Sequence, residues 1–123
     1  MDIPKRYRLV GSIEVQGSEW VRTMSVYLLW EWTNPKEVER NERRLKHEQE
    51  WLYPYIKSKT EEGVFRPLGL SDGTGRILAL FTFKTIEDFG KVWNDMEFKT
   101  GTAKMSFLVD NFTSRVLRDV IDL

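Results

Sequence analysis

Apolar residues along this chain change their period at definite points. From Arg22 to Thr33 (RTMSVYLLWEWT) they alternate: Met24, Val26, Leu28, Trp30 and Trp32 share one face of a strand, and Ser25, Tyr27, Leu29 and Glu31 share the other. Two further runs, VFRPLGL from Val64 and RILALFTFK from Arg76, flank Ser71-Asp72-Gly73-Thr74-Gly75, which reads as a hairpin. At Phe89, Val92, Trp93 and Met96 the spacing becomes i, i+3, i+4, i+7, predicting a helix opened by Thr85. An earlier helix is expected from Asn34-Pro35-Lys36-Glu37, with Asn as cap and Pro at the first helical position, to about Tyr53. Its apolar stripe is read as Val38, Leu45, Leu52 and Ile56. Pro54 should weaken or end it, and Gly63 should stop the chain before the next strand.

The remaining elements complete an order. Ala103 to Phe112, with Ala103, Met105, Phe107 and Val109 on one face, is expected to form a last strand, and Ser114 to cap a short tail helix bearing Leu117, Val120 and Ile121. Arg6 to Val15 reads as a short leading strand. The result is an α+β chain of order β-α-β-β-α-β with an antiparallel sheet, built around a split βαβ unit. We expect one domain over 1–123: an N-terminal extension at 1–21, a core at 22–112 and a tail at 113–123.

Composition narrows the function classes. With 123 residues, 41% hydrophobic and 13% aromatic, the chain can fill one modest core, and five Trp suggest that some serve a pocket or an interface. Nineteen basic residues balance nineteen acidic ones, so no global field draws the protein to nucleic acid or anionic lipid. The absence of Cys removes disulfides, thiolate nucleophiles and Cys-ligated metal. MDIPKRYRLVGSIEV lacks the apolar run of a signal peptide, and no segment approaches a membrane span, so a cytoplasmic location is expected.

Candidate chemistry is sparse. His47 is the only histidine, and the helical wheel places it opposite the apolar stripe, solvated beside Glu48 and Glu50. Glu31 interrupts an apolar run as Trp30-Glu31-Trp32, Tyr27 shares its face four residues earlier, and Arg66 lies in Val64-Phe65-Arg66-Pro67. We take Tyr27, Glu31 and Arg66 as the ligand-binding candidates. No GxSxG, Walker loop, GxGxxG, HExxH or Cys-based zinc spacing is present, and no metal is expected.

Gly75-Arg76-Ile77-Leu78-Ala79-Leu80-Phe81-Thr82-Phe83, then Glu87-Asp88-Phe89, Trp93 and Glu97-Phe98-Lys99, resemble the dimeric α/β-barrel superfamily, in its antibiotic-biosynthesis-monooxygenase-like branch. The resemblance, over residues 22 to 112, implies ferredoxin-like protomers whose sheets pack across a two-fold axis as a dimeric α/β barrel. Haem-degrading members of that branch carry an axial histidine a few residues after the Phe-Lys pair. Here the stretch reads Thr100-Gly101-Thr102, so no cofactor is expected. The expected function is a homodimer that binds a hydrophobic or aromatic small molecule, with a cofactor-independent monooxygenase-like or isomerase-like reaction allowed by the resemblance. Two alternatives stand beside it. An RNA-recognition module has the same element order, but its stacking positions would be Leu78 and Leu80; a non-catalytic interaction protein would have no pocket. The open sheet face is expected to carry Leu29, Leu78, Leu80 and Leu108 among Tyr27, Thr82 and Ser106, an apolar patch that calls for a partner.

Overall fold

Strict alternation in VYLLWEWT builds the strand on which the rest of the molecule is assembled. The computed structural model describes residues 25–119; the expected leading strand, residues 22–24 of the expected first long strand, and the end of the expected tail lie outside them. In chain order the elements are β1 (Val26–Thr33), α1 (Val38–His47), a π-helical turn (Glu48–Leu52), α2 (Tyr53–Glu61), β2 (Arg66–Ser71), β3 (Arg76–Phe83), α3 (Ile86–Trp93), α4 (Met96–Leu108) and β4 (Asp110–Arg118). The sheet runs β2-β3-β1-β4, every neighbouring pair antiparallel. This is the ferredoxin-like arrangement the sequence predicts.

Register separates the two faces. Trp30 pairs with Ala79 and Trp32 with Ile77 on the inner side, beneath the helices; Tyr27 pairs with Thr82, Leu29 with Leu80 and Glu31 with Leu78 on the outer side. Trp30 is the centre of the core and has no exposed surface. Its ring stacks on Phe98 at 5.6 Å and meets Phe81 and Phe112 edge-on at 5.2 and 5.5 Å, geometries that add to simple area burial.

The first helix differs from its expected form at both ends and on its buried face. Its cap position is Glu37 rather than Asn34. Asn34 instead ties the end of β1 to the hairpin: its backbone N–H donates to Gly75 O at 2.9 Å, and its side-chain oxygen accepts from Trp32 Nε1 at 3.2 Å. Pro54 does not end the helix. The π turn before it bonds Tyr53 N–H to the Glu48 carbonyl, and this shifted ladder accommodates a residue with no N–H in the first turn of α2. The helix runs on to Glu61, where Gly63, at φ +75°, closes it as expected: Val64 N–H reaches Lys59 O and Gly63 N–H reaches Thr60 O.

The buried face of this rod is Arg44, His47, Glu48, Leu52 and Tyr55, with Trp51 packed against the core. The spacing is helical, but half of the face is polar. Val38 and Leu45, read as core from their hydrophobicity, are 73% and 42% exposed. His47 is therefore buried rather than solvated, stacked on Trp51 with ring centres 5.2 Å apart and with Nε2 2.9 Å from Gly101 O.

The C-terminal third is also rearranged. Ala103 to Leu108 belongs to α4, whose buried residues Phe98, Gly101, Met105 and Leu108 recur at helical spacing, and Phe107 faces water. Asp95 caps this helix by accepting the Glu97 N–H at 3.0 Å, as Thr85 caps α3 by accepting the Asp88 N–H at 3.1 Å. The last strand is Asp110–Arg118, so Ser114 to Arg118 continue the sheet instead of starting a tail helix. Among the described strands it lies at the sheet's edge with exposed polar residues, which mutes the alternation that marks inner strands.

Asp95 also accepts the Tyr55 hydroxyl at 2.8 Å, joining α2 to the cap of α4. Burial, followed by this hydrogen bond, raises the Tyr55 phenol well above its ordinary range. A raised folded-state value means that stability is complete below the unfolded phenol's pKa of about 10 and is lost as pH rises beyond it. Tyr55→Phe should cost about 1 kcal/mol at neutral pH and flatten the alkaline fall in melting temperature above pH 10. An unchanged alkaline limb would contradict this assignment.

Candidate functional site

Between the rod and the inner sheet face lies a cavity of about 290 Å³. It forms where the π turn carries Leu52 and Ile56 over the β1–β3–β2 side of the sheet, above Trp30, Trp32, Ile77 and Phe81. Pro67 and Gly69 of the edge strand close one side, and small residues at Gly69 and Ala79 leave the space unfilled. Nothing stands within 4 Å of where a Cβ on Gly69 would sit.

Two side chains of this wall carry a carboxyl or hydroxyl group, Glu48 from the π turn and Tyr53 from the helix that continues it. Glu48, 3% exposed, accepts from Arg44 NH1 at 2.6 Å through Oε2 and from the Tyr53 hydroxyl at 3.1 Å through Oε1. Arg44, 8% exposed, also donates from Nε to Asn41 Oδ1 at 2.9 Å. Burying an ion pair on a helix adds little to stability over an apolar pair, whereas a carboxylate held in an apolar cleft is a recurrent arrangement in binding sites. Burial and the neighbouring carboxylate raise the Tyr53 phenol above its ordinary range, which keeps it a donor at neutral pH. Sequence patterning missed Glu48 because it was read only as a charged neighbour of His47; the usable signal was the i, i+3, i+4, i+7, i+8 series 44, 47, 48, 51, 52.

Tyr27, Glu31 and Arg66 lie elsewhere and form no single cluster. All three lie on the outer sheet face, and none lines the cavity. Glu31 bridges the neighbouring strands, accepting from Arg76 and Arg115 at 3.2 Å each, and the Tyr27 hydroxyl donates to Asp119 Oδ1 at 2.7 Å. Arg66 stands exposed in the row of Thr82 and Tyr27. The apolar members of this face are Leu29, Leu68, Leu70, Leu78, Leu80 and Leu117; Leu108 and Ser106 belong to α4 and are not part of it. Among the described residues no cluster of His, Asp or Glu could hold a metal, and no helix is long and apolar enough to cross a membrane.

No family model matches the sequence, and no curated protein does. Solved structures do match. A dimeric ferredoxin-like protein from an uncultured marine organism is 19% identical, with 82% of this chain and 91% of that one covered and a TM-score of 0.57. A NIPSNAP family protein from Agrobacterium tumefaciens is 12% identical, with 78% and 86% covered and a TM-score of 0.51. A conserved protein of unknown function from Bacteroides thetaiotaomicron, described as a possible oxidoreductase, is 9% identical, with 80% and 99% covered and a TM-score of 0.54. The fold is ferredoxin-like. Likeness at these identities carries the architecture and leaves the chemistry to the site.

Proposed function

We propose that this protein binds a hydrophobic or aromatic small molecule in the cavity between the rod and the sheet, as a homodimer joined through the outer sheet faces. The observation that carries the first half is the cavity itself: about 290 Å³ of space walled by Trp30, Trp32, Leu52, Ile56, Ile77 and Phe81, with Glu48 among the lining residues. Apolar walls with few convergent polar groups are the common form of a small-molecule site. The second half is supported by the leucines of the outer face and by the dimeric state of one structural neighbour. The antibiotic-biosynthesis-monooxygenase-like resemblance and the neighbour described as a possible oxidoreductase point toward a reaction on the bound molecule, for which Glu48 is the available proton acceptor. On the outer face Leu78 and Leu80 occupy the positions where an RNA-recognition sheet would stack bases, which favours the small-molecule reading.

Trp30 and Trp32 lie in the wall, so titrating the protein with a panel of aromatic and quinone-like compounds while following tryptophan fluorescence tests the proposal. Saturable quenching or a blue shift with one-site stoichiometry is expected for the members that fit. No response across the panel would overturn it.

A further inference from the structure

The hydrogen-bonding groups along the cavity restrict what the bound molecule carries; this inference rests on the binding proposal above. Four side chains in the wall have a polar atom: Trp30, Trp32, Glu48 and Tyr53. The indole N–H of Trp30 has no partner, but it is sealed among the core rings and presents no surface to the open space. Trp32 Nε1 already donates to Asn34 Oδ1, and the Tyr53 hydroxyl gives its single proton to Glu48 Oε1. Arg44, the cation paired with Glu48, stands outside the wall with its Nε on Asn41 and its Nη1 on Glu48.

Every side-chain donor at the cavity is thus either engaged or sealed. Acceptors are left over. A carboxylate has about four lone-pair sites, of which Arg44 and Tyr53 occupy two, and a phenol oxygen that has donated its proton can still accept. Charge is already balanced, since Arg44 lies 2.6 Å from Glu48.

We propose that the cavity selects a neutral, largely apolar molecule bearing a hydrogen-bond donor, with a hydroxyl group of an alcohol or phenol as the fitting case, and that Glu48 and Tyr53 receive that donor. Among the side chains of the wall a carboxylate or phosphate would meet only acceptors, and it would bring a second negative charge beside Glu48. A protonated amine would be stripped of water with no uncompensated negative charge to receive it, because Arg44 neutralises Glu48. A ketone would find no free side-chain donor.

Three probes on one carbon skeleton separate these cases: 2-naphthol, naphthalene and 2-naphthoate, titrated calorimetrically into the full chain at pH 7. The wild-type protein should bind 2-naphthol about tenfold more tightly than naphthalene, a modest return for one hydrogen bond to a charged group, and 2-naphthoate at least tenfold more weakly than 2-naphthol. Glu48→Gln, which leaves Arg44 unbalanced and adds an amide donor, should raise the affinity for 2-naphthoate about tenfold relative to 2-naphthol. If that variant does not fold, the wild-type ranking decides alone. Equal affinity for naphthol and naphthalene, or 2-naphthoate binding as tightly as 2-naphthol, would overturn the donor rule while leaving the cavity a binding site. Failure of all three probes to bind would remove the binding proposal, and this inference with it.

Discussion

Gly101→Ala should lower the stability of this protein by about 3 kcal/mol, among the larger effects of adding a single methyl group. A Cβ at residue 101 would lie 2.3 Å from Cε2 and Cζ2 of Trp51 and 2.5 Å from Cδ2. The indole has little room to give way. His47 is stacked on it, and its ring centre lies 5.4 Å from Tyr55 and 6.4 Å from Phe98. The His47 ring is itself held by Nε2 against the Gly101 carbonyl, so α4 and the rod are locked together at a residue whose missing side chain allows close approach. For a chain of this size the loss corresponds to a fall of about 10 °C in melting temperature. Adding Trp51→Leu should restore part of it by making space for the methyl. A melting temperature unchanged by Gly101→Ala would show that the two helices separate at no cost.

Leu80→Glu should convert a dimer into a monomer or make the protein insoluble. Leu80 is paired on one side with Leu29 and on the other with Leu68, which places it in the middle of the outer leucines. Face-to-face packing of two such sheets returns about 25 cal/mol for each Å² of apolar surface covered, before the costs of association. A two-fold axis brings each substitution in twice, and a carboxylate forced into that patch is desolvated without a partner. Sedimentation velocity at micromolar concentration reads the outcome. Wild-type protein that sediments as a monomer there would refute the two-fold packing.

How far the sequence reveals this molecule depends on which force dominates each segment. Where burial alone sets the pattern, in VYLLWEWT and RILALFTF, alternation locates the strands and assigns their faces correctly. Local chemistry is equally readable at Thr85, which caps α3, and at Gly63, whose positive φ ends α2. The rod is different. Its buried face contains Arg44, His47 and Glu48, whose burial is compensated by pairing, Arg44 and Glu48 with each other one turn apart and His47 with a carbonyl on another helix, and hydrophobicity cannot register such pairing. Across the end of α4 the residues Ala103, Met105, Phe107 and the capping Val109 mimic a strand, although Met105 is fully buried and Phe107 is 78% exposed. The cavity was illegible for a related reason: it exists because Gly69 and Ala79 are small opposite Leu52 and Ile56, and that is a fact of tertiary register. Tyr27, Glu31 and Arg66, the ligand-binding candidates of the sequence, are assigned by register to the outer face, away from the cavity.

The central claim is that the space beside Gly69 is where a ligand sits, and Gly69→Leu tests it most directly. The backbone there is ordinary for a strand, and an added side chain meets nothing within 4 Å of its Cβ, so the variant should fold with stability equal to or slightly above that of the wild type. Its side chain would occupy the cavity. In parallel 2-naphthol titrations followed by tryptophan fluorescence, the account predicts saturable binding to the wild type and at least tenfold weaker binding to Gly69→Leu, with the melting temperature preserved. Equal binding by the two folded proteins would contradict it.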